Sequence, residues 1–305
     1  MRILLLLSIG LFSGGVWALP NLSLSEVAPG VFMHLSAHHW PDRDNHGEIA
    51  NIGFIVGDKC VAVIDSGGSP QQGIALRKAL KETTDKPVCY VVNTHVHPDH
   101  IYGNSAFKNE SGVKFVGHHK LARAMATRAP HYLGKADELL DIRVTEDNIV
   151  PPDLQVKDSM ILNLGNRELV VTAHATAHTD NDLSVYDKRT ETMWLADLLF
   201  LDHIPVIDGS IKGWLKELAA LEGRRFNLVI PGHGGLVKDW PASAQPQKAY
   251  LSQLLDEIRA AIKQGKTLEW AVDHVGLSAK KNWQLFDQFH RKNVTIAFAE
   301  LEWED

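Results

Sequence analysis

One short segment limits what this chain can fold into more than any other feature. Residues 93–100 (NTHVHPDH) carry three imidazoles and one carboxylate, which are donors that zinc and iron accept. The segment follows the apolar run 88–92, which is typical of a buried strand. Side chains alternate along an extended chain, so His95 and His97 point the same way, and two more donors follow the turn at Pro98. This pattern predicts a metal-binding loop behind a strand, with ligands for two adjacent metals.

Further candidate ligands stand alone later in the chain. His178 and His233 lie in loop-like segments, and Asp197 follows the apolar run 192–196. Together with the NTHVHPDH segment, this set resembles the metallo-β-lactamase fold superfamily, whose hallmark is H-x-H-x-D-H followed by His, Asp and His at long spacings. The resemblance covers about residues 26–240.

The resemblance implies an α/β (α+β) fold, a four-layer αββα sandwich, with two Zn²⁺ ions at one edge. It also implies two groups of ligands that share one carboxylate: His95, His97 and His178 for the first metal, Asp99, His100 and His233 for the second, and Asp197 between them. The donor types agree, because three neutral histidines leave a zinc ion one open position for water.

The expected reaction is hydrolysis of an ester, lactone, thioester or β-lactam by a hydroxide held between two zinc ions. Asp99 is the candidate catalytic residue, since it could orient the hydroxide or carry a proton to the leaving group. Asp65 ends the apolar run 61–64 and is either a hydrogen-bond acceptor for the ligand loop or a turn-forming residue.

Single positions separate the members of this superfamily. Asp197 argues against the β-lactamases that carry Cys there, and it favours glyoxalase II-type thioesterases and lactonases. His97 argues against flavodiiron-type oxygen reductases, which have Glu at that position. Persulfide dioxygenases keep H-x-H-x-D-H but use one iron, so a mononuclear iron sulfur dioxygenase is the alternative function and iron the alternative metal.

Finer features resemble the quinoprotein relay system zinc metallohydrolases. They are the segments 49–57, 65–69 and 103–104 and, near the end of the chain, 291–294 and 300–302. The resemblance implies an exported protein found beside quinone-cofactor dehydrogenases. A third possibility is therefore a non-catalytic metal-binding partner of an exported quinoprotein dehydrogenase.

Composition and the N-terminus predict an exported protein with one large domain. The chain has 305 residues, 45% of them hydrophobic, and a net charge of −6, which disfavours nucleic acid as a partner. Arg2, the apolar run 3–12 and small residues at 16–18 predict a signal peptide over 1–18 and a periplasmic location; an uncleaved anchor is the alternative. No later run is long enough to span a membrane.

The predicted organisation is a catalytic domain over 19–243 followed by C-terminal helices over 244–305 that pack on the same domain. Predicted strands cover 49–56, 61–64, 88–93, 113–117, 160–164, 168–172, 183–186, 192–195 and 228–230. Predicted helices cover 71–83, 120–128, 211–221, about 251–262 and 283–302.

Other residues leave alternatives open. His174 is a second candidate for the ligand role of His178, but the segment 176–179 (TAHT) resembles the family's Pro-Gly-His-Thr and favours His178. Cys60 and Cys89 begin strands that are expected to be neighbours, so a disulfide is geometrically possible. Two buried free thiols are the preferred interpretation.

Overall fold

The computed structural model describes residues 22–304, and the predicted signal peptide lies outside this range. Within this range the strands form two sheets. The first sheet holds, side by side in chain order, β1 (Ser25–Ala28), β2 (Val31–His34), β3 (Ile52–Val56), β4 (Val61–Ile64), β5 (Val88–Val92), β6 (Lys114–His118) and β7 (Leu154–Val156). The second holds β8 (Ser159–Asn163), β9 (Glu168–Ala173), β10 (Leu183–Asp187), β11 (Thr192–Phe200) and β12 (Leu228–His233).

The two sheets face each other across a buried apolar core. Ile64 and Val92 of the first sheet and Val171, Val185 and Trp194 of the second belong to one buried cluster. These side chains are mostly β-branched or aromatic, which suits a pleated surface that is buried. Burial of this apolar surface is the main force that holds the sheets together.

Helices cover both outer faces. They are α1 (Pro70–Thr83), α2 (Pro98–Ile101), α3 (Leu121–Leu140), α4 (Ile211–Glu222), α5 (Gln245–Lys263), α6 (Leu268–His274) and α7 (Phe286–Leu301). Helix α1 packs Leu76 on Phe54 of the first sheet. Trp214 of α4 and Phe298 of α7 belong to the cluster on the outer face of the second sheet. The layers are therefore helix, sheet, sheet and helix, and the predicted αββα fold is confirmed.

Parallel pairing brings the ends of several strands to one edge. Strands β4 to β7 pair in parallel, and so do β11 and β12. Parallel neighbours need a crossover connection, which α1 provides between β4 and β5 and α4 between β11 and β12. The carboxyl ends of β4, β5 and β12 thus carry Asp65, the segment 93–100 and His233, respectively.

Several predicted element bounds were wrong. The helix predicted over 120–128 continues to Leu140, because Pro130 removes one backbone hydrogen bond without ending the helix. The strand predicted over 192–195 continues to Phe200. The last helix begins only at Phe286, because Leu285 before it has a left-handed backbone with φ of 56°.

The two cysteines are joined, so the preference for free thiols was also wrong. Cys60 and Cys89 form a disulfide with a Cα–Cα distance of 5.7 Å. The cause is the parallel pairing of β4 and β5, since each cysteine lies at the start of one of these strands and this separation is typical of a disulfide.

None of the helices within residues 22–304 is both long enough and apolar enough to cross a membrane.

Candidate metal centre

The ligand loop owes its shape to the end of β5 and a one-turn helix. The chain leaves β5 in an extended form, and Pro98 then occupies the first turn of α2, a position where its missing N–H costs nothing. His95 and His97 therefore precede the turn, whereas Asp99 and His100 lie within it.

Three histidines and one carboxylate form the first group. The Nδ1 atom of His97 lies 3.1 Å from Nε2 of His95 and 3.0 Å from Nε2 of His178. The Oδ2 atom of Asp197 lies 3.3 Å from Nε2 of His178 and 3.7 Å from Nε2 of His95. Facing side-chain atoms of all four residues lie within 4.8 Å of one another.

The second group lies directly beside the first and contains Asp99, His100 and His233. Oδ2 of Asp99 lies 3.5 Å from Nε2 of His100 and 3.4 Å from Nε2 of His233. Asp197 reaches this group too, with Oδ1 at 3.1 Å from His100 and Oδ2 at 3.4 Å from His233. The structure thus places all seven predicted ligands together, with Asp197 between the two groups.

Each histidine of the first group is held through the ring nitrogen that faces away from the other ligands. This atom is called the outer nitrogen here, and the one that faces the other ligands is called the inner nitrogen. Nε2 of His97 donates to Oδ2 of Asp208 at 2.8 Å, and Nδ1 of His178 donates to the Val206 carbonyl at 2.6 Å. Nδ1 of His95 lies 3.1 Å from the hydroxyl of Thr94. These acceptors fix the proton on the outer nitrogen and leave the lone pair of the inner nitrogen free.

Asp65 links the two groups from behind. Its carboxylate accepts hydrogen bonds from the backbone N–H and the hydroxyl of Thr94, each at 2.8 Å, and from Nδ1 of His100 at 2.8 Å. Because the Thr94 hydroxyl donates to Asp65, its oxygen accepts from His95. The Nδ1 of His233 donates to the Ile49 carbonyl at 3.0 Å, so all five histidines present their inner nitrogen to the centre.

The donor set fits divalent metal ions. With the protons on the outer nitrogens, the inner nitrogen of His97 lies 3.1 Å from that of His95 and 3.0 Å from that of His178. Nitrogens around a tetrahedral zinc at about 2.0–2.1 Å would lie roughly 3.3 Å apart. In the second group, Nε2 of His100 and Oδ1 of Asp197 are buried and lie 3.1 Å apart without the geometry of a hydrogen bond, and neither atom has another partner among the described residues. A bound cation would satisfy both atoms.

Burial and neighbouring charges set the protonation of the first group. Burial lowers the pKa of His178 to about 3 and holds the pKa of His95 well below its ordinary value. Burial raises the pKa of Asp197, but His100 and His233 outweigh this effect and hold that pKa well below its usual range. Neutral imidazoles and an ionised carboxylate are the forms that bind metals.

Carboxylates dominate the second group. Burial lowers the pKa of His100, but Asp197, Asp99 and Asp65 outweigh it and raise that pKa well above the ordinary value. Burial likewise raises the pKa of Asp99, and His100 outweighs it, so that the pKa is about 2. The group therefore needs positive charge, which a divalent cation supplies.

A distortion of β11 aims Asp197 at the centre. Ala196 has a left-handed backbone with φ of 47°, and the register with β12 shifts on both sides of it. Gly232 of β12 leaves the space that the carboxylate fills, because a Cβ there would lie 1.8 Å from Oδ1 of Asp197. The strand continues past Asp197, whereas the sequence predicted that it would end before it.

The sequence did not point to several residues of the cleft over the centre. The cleft has a volume of about 390 Å³ and is lined also by Arg128, Tyr132, His203, Asp208 and Lys292. They belong to α3, to the loop after β11 and to α7, and they carry no ligand motif. Only the tertiary packing brings these residues together, and the spacing of residues along the sequence does not predict it.

Two other histidines lie outside the metal groups and bond elsewhere. His174 bonds to Glu217 and Ser184, each at 2.8 Å, and lies outside both metal groups. His34 bonds to the backbone of Ser23 at 2.9 Å.

The fold, the order of the candidate ligands and the cleft are those of the metallo-β-lactamase class of metal-dependent hydrolases. The family model described as Metallo-beta-lactamase superfamily matches residues 47–233. The chain therefore belongs to the metallo-β-lactamase superfamily, as its sequence predicted. Membership supports a metal-dependent hydrolase acting on a small molecule, whereas the finer resemblance to quinoprotein relay system enzymes stays a prediction.

Individual proteins are similar at lower identity. The human protein named Acyl-coenzyme A thioesterase MBLAC2 is 26% identical over 218 residues, which are 61% of this chain and 74% of that protein. A stretch of 52 residues is 40% identical to a Linear primary-alkylsulfatase of a Pseudomonas species, covering 17% of this chain and 10% of that one. The Metallo-beta-lactamase from Pontibacter korlensis has the same fold, with a TM-score of 0.60 and 20% identity over 76% of this chain and 99% of that one.

Proposed function

We propose that this protein is an exported dizinc hydrolase that cleaves an ester, lactone, thioester or β-lactam bond. The observation that carries the proposal is the pair of adjacent ligand groups that share Asp197 at the floor of an open cleft. A shared carboxylate between two sites is the arrangement expected for a binuclear centre.

Zinc ions bound there would polarise the carbonyl group of the substrate and lower the pKa of a water molecule to about 7. Asp99 lies at the cleft surface, where its carboxylate can orient that water and carry its proton to the leaving group. One C–O bond to water forms, the bond to the leaving oxygen, sulfur or nitrogen breaks, and the leaving group takes up the proton.

The similar proteins support the bond type. One is named a thioesterase and another an alkylsulfatase, so both names describe hydrolysis at an ester-type linkage. Asp197 supports the same conclusion, because the thioesterases and lactonases that this sequence resembles carry aspartate there.

The test is turnover of a panel of aryl esters, thioesters, lactones and β-lactams by mature protein loaded with zinc. Asp197→Ala is expected to lower the zinc content and the turnover together, because it removes the carboxylate that both groups share. The control Asp58→Ala changes a half-exposed carboxylate paired with Arg189 and should alter neither quantity. Full turnover with two zinc ions retained in Asp197→Ala would contradict the shared role.

Two rival functions have their own readouts. Oxygen consumption by iron-loaded protein with a glutathione persulfide would identify the sulfur dioxygenase. No turnover on any substrate, together with co-purification of an exported quinoprotein dehydrogenase, would identify a non-catalytic metal-binding partner.

Export to the periplasm is part of the proposal. The disulfide between Cys60 and Cys89 supports it, because disulfides persist in oxidising compartments. Cell fractionation with mass measurement of the mature N-terminus would test it, and an intact Met1 in the cytosolic fraction would contradict it.

A further inference from the structure

A second cavity opens beside the metal cleft. Its volume is about 230 Å³, and apolar or aromatic side chains form most of its wall, among them Trp40, Ile49, Tyr102, Ala136, Leu139 and Leu140. Leu139 and Trp40 are about half exposed, at 53% and 45%. A concave apolar wall of this kind is typical of a ligand site.

The cavity lies directly beside the cleft, and the two share part of their lining. Ile49, Pro98, Asp99, His131 and Tyr132 line both of them. The Tyr132 hydroxyl is buried at this junction and interacts with the Arg128 guanidinium one helical turn away. A ligand can therefore reach from the second metal group at Asp99 into the apolar cavity.

The cleft carries surplus positive charge where it adjoins His97 of the first metal group. Arg128 binds Asp208, and Nζ of Lys292 lies 3.8 Å from the same carboxylate. Two cations thus share one anion, which also accepts a hydrogen bond from His97. The side chains of Arg128 and Lys292 are 31% and 50% exposed, against 15% for Asp208, so both keep donors free for the cleft.

We propose that the substrate is an anionic amphiphile, with a linear apolar chain in the Trp40–Leu140 cavity and a negatively charged group held by Arg128 and Lys292. This proposal rests on the proposed hydrolase function and names its substrate class. The cleavable bond then lies over the metal groups, between the two recognition sites. At ~30 Å³ for each carbon, which is the volume that one molecule takes up in liquid water, the cavity holds a chain of about eight carbons.

The primary test measures binding rather than turnover. Linear alkyl sulfonates from butyl to decyl, below their micelle concentrations, are titrated calorimetrically into zinc-loaded protein. The dissociation constant should fall about three- to fourfold for each added methylene and level off near octyl. Octanol should bind roughly tenfold more weakly than octyl sulfonate, because it lacks the charge-assisted contacts. A dissociation constant that does not depend on chain length would overturn the proposal.

Two sets of variants separate the two recognition sites. Leu139→Asn should weaken octyl sulfonate binding several-fold. The control is Ile74→Asn, which also replaces a partly exposed aliphatic side chain of a helix by asparagine, but at a residue that is 43% exposed and lies outside the cavity. It should leave binding unchanged. The double variant Arg128→Met/Lys292→Met should abolish the preference for sulfonate over octanol and retain the dependence on chain length. Equal losses in Leu139→Asn and Ile74→Asn, or an intact sulfonate preference in the double variant, would overturn the proposal.

Turnover then distinguishes this proposal from the hydrolase function. Chain-length-dependent binding without hydrolysis of any octanoyl ester or thioester would contradict the hydrolase function alone. Hydrolysis of acetyl esters together with flat binding across the alkyl series would contradict the substrate class alone.

Discussion

The smallest unit of this centre is a histidine with its outer partner. His97 faces the first group through Nδ1, and the hydrogen bond from its Nε2 to Asp208 holds this orientation. No local motif predicts Asp208, since it lies in a loop 111 residues after His97. The sequence identifies ligands by their type and spacing, whereas their outer partners depend on the tertiary structure.

Removing such a partner should weaken metal binding without unfolding the protein. Asp208→Ala is expected to lower the zinc affinity of the first group about 10- to 100-fold, because His97 loses its fixed tautomer and orientation. Competition with a zinc-binding dye measures this affinity. Zinc binding by Asp208→Ala that is as tight as in the Asp58→Ala control would contradict this prediction.

At the scale of strands and helices, apolar runs in the sequence predicted where most strands lie, but they did not predict well where each strand ends. The run after Thr192 was expected to end at Leu195, yet β11 continues to Phe200 through a distortion at Ala196. Hydrophobic periodicity reports burial of a strand and does not report a bulge. The bulge matters because it aims Asp197 at both groups.

The close approach of β12 to Asp197 gives a direct test of this distortion. Gly232→Ala should lower the zinc content to below two ions per chain, since the added Cβ would lie 1.8 Å from Oδ1 of Asp197. Gly235→Ala is the matched control, because nothing lies within 4 Å of its Cβ position. Elemental mass spectrometry measures the zinc content of both variants. Equal zinc contents would show that the position of the Asp197 carboxylate does not depend on the space left by Gly232.

A buried ion pair joins the start of β9 to the end of β10. Nε and Nη2 of Arg167 donate to the two oxygens of Asp187 at 3.0 and 2.6 Å, and both side chains are buried. Asp187→Ala leaves the guanidinium unpaired, so the free energy of unfolding should fall by about 3–5 kcal/mol at pH 7.

This loss should depend on pH with a definite sign. Burial raises the pKa of Asp187, but the hydrogen bonds from Arg167 and Thr190 outweigh it and lower that pKa. The stabilisation is therefore complete above the unfolded pKa of about 3.9 and decreases as pH falls through the lower folded value. Urea unfolding of wild type and Asp187→Ala should show a constant difference between pH 7 and 5 and a smaller one below pH 4. A difference that grows in acid would contradict this sign.

At the scale of the whole molecule, the C-terminal helices take part in the site. Asn293 of α7 is fully buried, accepts from the Ile207 N–H at 2.8 Å and donates to the Pro205 carbonyl at 2.7 Å. It thereby holds the loop that carries Val206 and Asp208, the outer partners of two ligands. The sequence predicted that these helices pack on the main domain, and only the fold shows that they reach the ligand shell.

Replacing Asn293 should lower both the free energy of unfolding and the zinc affinity. Asn293→Ala leaves two buried backbone groups unpaired, so the free energy of unfolding should fall by about 1–3 kcal/mol for each, and the zinc affinity should fall as well. Thr295→Ala on the exposed side of the same helix serves as the control. Unchanged zinc affinity in a destabilised Asn293→Ala protein would show that the loop holds its ligand partners without α7.

The family and the sandwich could be predicted because the H-x-H-x-D-H segment has a fixed local spacing, and the resemblance that it carries gave the order of the more distant candidates His178, Asp197 and His233. The cleft walls could not, since Arg128, Tyr132 and Lys292 meet there from distant elements. Free thiols were predicted in place of the disulfide, because free and paired cysteines look the same in a sequence. Only the pairing of β4 with β5 brings Cys60 and Cys89 together.

The most direct test of the binuclear centre is metal identity and stoichiometry, measured by elemental mass spectrometry on mature protein purified without chelators or an affinity metal. Two adjacent ligand groups that share Asp197 predict two zinc ions per chain. One iron per chain would contradict the account, because it would leave His100 and His233 without the metal that their geometry implies.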